Sequence, residues 1–206
     1  MPQTTRFRAP SLRRVAERLR RQTEGSAILE FAISVPLLVV FIVGIFDFGA
    51  AFDQKQKIEQ AAQEGAIVAA AQPTSDLYSD LAPNPTPNSL PPVVTAVVNS
   101  LAGSAVVATA ACGSPPWPAP TTSGMTWTYT MKCPTDSLVV AINRGWDCSS
   151  GAPCSSAPPQ AVGTTVTVTY PYHWRFNSAI QLLFPGTSSY AAVTTVTESA
   201  TVHNQM

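Results

Sequence analysis

Residues 31–52 form the longest hydrophobic block of the chain, and Ser34 and Asp47 are its only markedly polar members. At about 1.5 Å rise per residue, a helix of about 22 residues is roughly 33 Å long, enough to cross the hydrocarbon core of a membrane. A cleaved secretory signal would have a shorter apolar core followed at once by a small-residue cleavage site, and this block has neither. We therefore predict a transmembrane helix.

The hydrophobic pattern changes after residue 52 but stays helical up to Pro73. Gln, Glu, Lys and Ala dominate this stretch and are good helix formers. Apolar and small residues recur there at spacings of three and four, which places them on one stripe. The stripe consists of Ile58, Ala61, Ala62, Gly65, Val68 and Ala69. The sequence thus predicts one helix of about 40 residues, apolar all round and then amphipathic, whose stripe packs against the protein's own C-terminal domain.

Alternation of polar and apolar residues predicts β-strands in the C-terminal half. In 125–133, Trp127 and Tyr129 fall on one face and threonines on the other, and in 162–174 Val166 and Val168 do the same. Residues 138–142 and 190–202 are two further candidates. Four strands separated by loops suggest a small antiparallel sheet with one face in water.

These elements predict an α+β, pilin-like fold in which the long helix covers the apolar face of the sheet. We predict four regions: a basic cytoplasmic leader at 1–25, the transmembrane plus amphipathic helix at 26–72, a Pro-rich linker with a short helix (93–101) at 73–120, and a β-rich extracytoplasmic domain at 121–206.

The charge of the chain is strongly asymmetric although its formal net charge is zero. Seven of the 12 basic residues are arginines within residues 6–21. A basic head can indicate nucleic-acid binding, but this one adjoins a hydrophobic block, which favours a topology signal. The positive-inside rule then predicts a single-pass membrane protein with its N-terminus in the cytoplasm and its C-terminal domain outside.

The four cysteines, Cys112, Cys133, Cys148 and Cys154, all lie beyond the predicted membrane segment. An even number in an extracytoplasmic domain suggests two disulfides. The short Gly- and Pro-containing loop between Cys148 and Cys154 favours a bond between these two, which leaves Cys112 and Cys133 as the other pair; the other connectivities stay open. A zinc site is disfavoured because there is no C-x-x-C pair.

We find no catalytic motif: a phosphate-binding glycine loop, H-E-x-x-H and G-x-S-x-G are all missing from the sequence. His173 lies in the aromatic stretch "YPYHWRF", where a packed or surface position is the simpler interpretation. We predict no enzymatic activity, no metal or other cofactor and no small-molecule substrate.

A carboxylate, Glu30, stands at the start of the hydrophobic block, five residues after Gly25 and directly before Phe31. Pro36 follows within the block, and "GIFDFG" with Asp47 closes it. The segment "GSAILEFAISVPLLVVFIVGIFDFG" resembles the TadE-like family, the minor pilin-like proteins of tight-adherence (Tad/Flp) pilus systems.

The resemblance implies cleavage by a prepilin peptidase between Gly25 and Ser26. It also implies an assembly role for Glu30, Phe31, Pro36 and Asp47, with Glu30 paired to the N-terminal amine of a neighbouring subunit. Such a pair would offset the cost of a charge in hydrocarbon, about 2.5–3.5 kcal/mol. From position alone, Glu30 could equally reach headgroup water, and Asp47 lies near the outer interface, where solvent is close.

The resulting expectation is a minor pilin-like or accessory membrane protein in the assembly of a tight-adherence pilus, or of a related secretion apparatus, with a part in cell adhesion. Its expected partners are the membrane, a prepilin peptidase and other Tad/Flp pilus components, and no nucleic acid. The alternative is a plain single-pass, membrane-anchored binding or envelope protein without a pilus role.

Overall fold

The computed structural model describes residues 23–79, 82–107, 112–134, 136–146, 163–174 and 193–205. A long N-terminal helix is followed by a second, shorter helix and an antiparallel sheet. The predicted α+β fold, with a candidate membrane-spanning helix packed on a small sheet, is confirmed.

Helix α1 (Thr23–Ala70) has 48 residues and continues without interruption through Pro36. Its second half follows the predicted amphipathic pattern, because Ile58, Ala61, Ala62 and Ala69 are fully buried. Gly65 is buried as well, whereas Val68 is only partly covered. The predicted stripe is thus the face by which α1 joins the folded domain.

Helix α2 (Pro91–Gly103) begins with two prolines. Proline is tolerated in the first turn because the N–H groups there have no partner within the helix. The buried face of α2 consists of Val93, Val94, Val97, Val98 and Leu101. This face packs against α1, and the sequence predicts this helix to within two residues at either end.

Five strands form the main sheet in the order β3-β4-β5-β6-β7, each antiparallel to its sequence neighbour. They are β3 (Thr121–Ser123), β4 (Thr126–Lys132), β5 (Ser137–Trp146), β6 (Gly163–His173) and β7 (Val193–His203). A separate two-residue ladder joins β1 (Tyr78–Ser79) to β2 (Ala82–Pro83). The four predicted strands correspond to β4–β7, and β3 is an additional short edge strand.

The inner face of the sheet is apolar and the outer face is rich in threonine, as the alternation predicts. Its buried residues are Trp127, Tyr129, Met131, Leu138, Val140, Ile142, Val166, Val168 and Tyr170. On the outer face, pairs of threonine hydroxyls bond across strands β6 and β7: Thr165 with Thr201 at 2.8 Å and Thr169 with Thr197 at 3.1 Å. Helix α1 packs on β6 and β7, so these elements bury the apolar surfaces of one another.

The Pro-rich segment, for which the sequence predicts a linker, packs into the folded domain. Leu77 and Leu90 are buried side chains of the core, and the Trp127 indole N–H donates to the Asn84 carbonyl over 2.8 Å. A disulfide joins Cys112, after α2, to Cys133 at the end of β4. Cys148 and Cys154, with the disulfide predicted between them, lie outside the described residues.

The strands run along α1 rather than across it, as three contacts at different heights show. The hydroxyl of Tyr172, near the end of β6, contacts Asp47. Val166 lies against Gly65 further along the helix. The Gln205 N–H, beyond β7, donates to the Ala70 carbonyl at the helix C-terminus over 3.1 Å. The sheet therefore begins at the level of Asp47 and extends to the outer end of α1.

Candidate functional site

The first half of α1 is a bare apolar helix. In residues 26–46 every side chain is exposed or only partly covered, and Asp47 is the first buried residue of the helix among those whose burial is described. The exposed large hydrophobic side chains of this segment are Ile28, Leu29, Phe31, Ile33, Val35, Leu37, Leu38, Val39, Phe41, Ile42, Ile45 and Phe46.

The described part of the helix, from Ser26, is long and apolar enough to cross a membrane. Its most apolar window has a mean hydropathy of 2.6, and none of that window is buried by the domain. A contiguous exposed apolar surface of this size marks a site of interaction with lipid or protein, and together with the length of the helix it indicates membrane anchoring.

Glu30 is exposed on this bare segment, close to its beginning. The hydroxyl of Ser26, one turn earlier, donates to a Glu30 carboxylate oxygen over 3.2 Å. Among the described side chains no cation pairs with Glu30. Within the described residues, the Ser26 hydroxyl is thus the hydrogen-bond partner of the Glu30 carboxylate.

The predicted cleavage bond between Gly25 and Ser26 lies in the first turn of the described helix, which begins at Thr23. The arginines of the predicted leader fall within residues 1–22, outside the described range. Cleavage at this bond therefore stays a prediction.

Phe31 and Pro36 lie on the same bare segment. The Phe31 side chain is 71% exposed, and Pro36 is enclosed in α1 with exposed neighbours on both sides. Neither residue touches the folded domain. Both are thus available to whatever surrounds the helix in the membrane.

Asp47 differs from the expectation of a carboxylate close to solvent. It is only 5% exposed, and the hydroxyl of Tyr172 donates both to its carboxylate, over 2.8 Å, and to its backbone carbonyl, over 3.0 Å. The structure thus gives Asp47 an intramolecular role: it fixes the end of β6 to α1. The sequence offers no signal for this pair, because the two residues are 125 positions apart.

An aromatic cluster surrounds this contact. Trp174 packs edge-to-face on Phe48 of α1, with ring centroids 5.2 Å apart, and on Tyr172 at 5.0 Å. Its indole N–H donates to the Thr194 hydroxyl at the start of β7 over 2.6 Å. His173, which lies between Tyr172 and Trp174 in the sequence, points outward and pairs with Asp136 over 2.8 Å. Within the stretch "YPYHWRF", Tyr172, His173 and Trp174 therefore make structural contacts at the Asp47 end of the domain.

The other end of α1 is held by a buried arginine that sequence reasoning missed. Arg144 of β5 is fully buried and donates to the carbonyl oxygens of Gln72, over 3.0 Å, and Pro73, over 3.4 Å. A cation at this position complements the negative end of the helix dipole. Burial lowers the pKa of the Arg144 guanidinium, and the nearby Asp76 carboxylate opposes this shift. A sequence signal for this role is that Arg144 is a cation two residues after the apolar run 138–142.

The part of the chain that is described contains no group of three or more His, Cys, Asp or Glu side chains able to hold a metal ion. The candidate functional site is the bare helix surface with Glu30.

Comparison with protein families gives one match, to a family described as TadE-like protein, over residues 25–66. Neither the curated proteins nor the solved structures include a significant match to the chain. The family match covers the bare helix and most of the amphipathic half, and it indicates a protein associated with Tad pili in general terms. The resemblance seen in the sequence is thereby confirmed: residues 25–66, which include every predicted processing and assembly residue, are a TadE-like segment.

Proposed function

We propose that this protein is a membrane-anchored, pilin-like accessory component in the assembly of a tight-adherence pilus or a related secretion apparatus. Its role is structural rather than enzymatic. The observation that carries the proposal is the uncovered apolar segment 26–46 with exposed Glu30 near its start, inside the TadE-like match. A helix that is apolar all round and uncovered by its own domain fits both lipid and the equivalent helices of partner subunits.

Glu30 gives this packing a register. A carboxylate within hydrocarbon costs about 2.5–3.5 kcal/mol, and a positively charged partner offsets this cost. Cleavage by a prepilin peptidase after Gly25 would create an α-amine on Ser26, the residue whose hydroxyl already lies 3.2 Å from the Glu30 carboxylate. The same amine on a neighbouring subunit would pair with Glu30 at only one axial offset of the two helices. The arginine block at 6–21 keeps this end of the helix in the cytoplasm, so the β-rich domain lies outside.

The experiment is deletion of the gene in its native host, with electron microscopy of surface pili and a surface-adhesion assay. We expect loss of pili, or a strong reduction in their number, with recovery on complementation by the wild-type gene. Normal piliation and adhesion in the deletion strain would favour the alternative, an anchored envelope protein without a pilus role.

Processing is tested separately by mass spectrometry of the membrane-extracted protein. A mature chain that begins at Ser26 supports the peptidase as a partner. A chain that still begins at Met1 removes the processing step and leaves the version of the proposal in which the protein acts as an uncleaved anchored component.

A further inference from the structure

The end of the sheet that reaches Asp47 has a distinctive composition. Tyr172 lies near the end of strand β6, Trp174 follows directly after the strand, and Thr194 lies beside them near the start of β7. Trp174 packs against Phe48 of α1, whose side chain is itself 60% exposed. Phe52, one turn further along the helix, is 63% exposed. Large aromatic side chains thus accumulate on the surface at one height of the molecule.

The length of the bare helix segment determines the position of these aromatic side chains relative to a membrane. Residues 26–46 span roughly 31 Å, about the thickness of a hydrocarbon core. Asp47, the first buried residue after this segment, then lies at the outer boundary of the core. The contacts of Asp47 and Phe48 with Tyr172 and Trp174 place the end of the sheet at the same boundary.

The chemistry on either side of this level agrees with an interface. On the inner side the helix surface is apolar up to Phe46. On the outer side charges begin at once: Asp53 pairs with Lys57 over 2.7 Å, and Lys55 lies 3.5 Å from Glu198 of β7. Between the two, the exposed residues of the helix are aromatic or small, and His173, exposed at the same end of β6, pairs with Asp136. Tryptophan prefers this zone of a bilayer because its ring is apolar and its N–H is polar.

We propose that the Asp47 end of the sheet is a lipid-contacting surface, in which Trp174 with Phe48 and Phe52 occupies the headgroup region of the outer leaflet. The occupant is the bilayer interface itself, because this surface is continuous with the apolar segment that crosses the membrane. In the described part of the domain, the Asp47 end of the sheet therefore stands directly on the membrane, with its strands pointing away from it. This inference rests on membrane anchoring by α1 and not on the pilus role.

The test uses the full-length protein reconstituted into phosphatidylcholine vesicles that contain lipids brominated either near the headgroup or near the chain ends. Bromine quenches tryptophan fluorescence only at close range. The chain has 4 tryptophans, so we expect headgroup-proximal bromine to remove about a quarter of the emission, and chain-end bromine clearly less, because one ring lies in the interface.

Two matched variants identify the ring. Trp174→Phe should abolish this quenching, whereas Trp117→Phe, which alters a partly covered ring bonded to Thr95, should preserve it. Equal quenching in Trp174→Phe and wild type would overturn the proposal. If Trp174→Phe does not fold, the wild-type protein decides: quenching by neither lipid, or stronger quenching from the chain ends, also overturns it. This readout does not depend on piliation. A negative quenching result would therefore overturn the lipid-contact proposal without affecting the proposed pilus role.

Discussion

The phenolic hydroxyl of Tyr172 donates to the Asp47 carboxylate over 2.8 Å, and this bond ties the end of strand β6 to the point where α1 emerges from its bare segment. The contact is buried, so water does not replace the bond when it is lost. We expect Tyr172→Phe to lower the free energy of unfolding of the domain by about 1–3 kcal/mol. Urea unfolding in detergent, followed by circular dichroism, measures the change.

Asp47→Asn is the matched variant for this contact. The asparagine side chain keeps an oxygen that accepts the Tyr172 hydrogen bond but removes the charge, so its effect on stability should be smaller than that of Tyr172→Phe. An equal or larger loss in Asp47→Asn would show that the charge of Asp47, rather than its bond to Tyr172, matters for the domain.

Glu30→Ala tests the register role. We expect this variant to insert into the membrane normally, since it removes a charge from an apolar segment, and to retain the fold, because Glu30 bonds only Ser26 of its own chain among the described residues. Crosslinking to pilus components and piliation should fall at least several-fold.

Glu59→Ala is the control for Glu30→Ala, because Glu59 is an exposed carboxylate of the same helix outside the apolar segment. It should leave assembly unchanged. Wild-type crosslinking and piliation in Glu30→Ala would show that Glu30 is an interfacial carboxylate without an assembly function.

At Gly65, α1 lies close against α2 and β6. A Cβ atom there would come within 2.5 Å of Val97 Cγ2 and 3.3 Å of Val166 Cγ1. Overpacking of this kind costs about 1–3 kcal/mol and outweighs the gain of about 1 kcal/mol in helix propensity when both valines are fixed in the core. We expect Gly65→Ala to lower the thermal midpoint of the domain.

Gly49→Ala provides the comparison, since nothing lies within 4 Å of a Cβ at Gly49. It should leave the thermal midpoint unchanged or raise it slightly. A Gly65→Ala protein as stable as Gly49→Ala would mean that the Val97 and Val166 side chains move aside without a loss of stability.

Alkaline pH should destabilise the domain through Tyr129. Burial raises the pKa of this phenol from 10.0 to about 12. Between pH 10 and pH 12 the unfolded chain loses the phenolic proton while the folded chain keeps it, so stability falls as the pH rises; below pH 10 both states are protonated and Tyr129 adds no pH dependence.

The measurement is the free energy of unfolding across this alkaline range for wild type and Tyr129→Phe. The decrease in the free energy of unfolding with rising pH should be smaller in the variant than in wild type, by up to about 1.4 kcal/mol per pH unit. Thr128→Ser, which alters the preceding residue of β4 on the outer face, should keep the full slope. An unchanged slope in Tyr129→Phe would show that other groups cause the alkaline loss.

Local periodicity explains which parts of the fold the sequence predicts well. In β4 and β6, threonine alternates with Trp127, Tyr129, Val166 and Val168, and a strand with one wet face requires this pattern. The stripe from Ile58 to Ala69 predicts the packed half of α1 for the same reason. Strand β3 has only three residues, all exposed, so no alternation identifies it.

Contacts between distant residues explain what the sequence does not predict. The burial of Leu77 and Leu90 in a proline-rich stretch depends on the core that forms around them, because composition alone is also compatible with a linker. Arg144 reaches carbonyl groups about seventy residues away in sequence. Glu30 is the opposite case: its interest comes from its spacing to Gly25, a purely local signal.

Because one uninterrupted helix runs from the bilayer into the core of the domain, a tilt of its membrane-spanning part also tilts its outer part. Its outer part, from Asp47 to Ala70, is roughly 35 Å long. Transmembrane helices tilt by about 20° on average, and a tilt of about that size would carry the far end of the helix sideways by roughly 12 Å. Arg144 bonds to the chain just beyond the outer end of α1, and Tyr172 bonds to Asp47 at its inner end. The sheet would therefore move together with the helix. A change of that size in the tilt of α1 within the membrane would thus displace the outer end of the folded domain by a comparable distance.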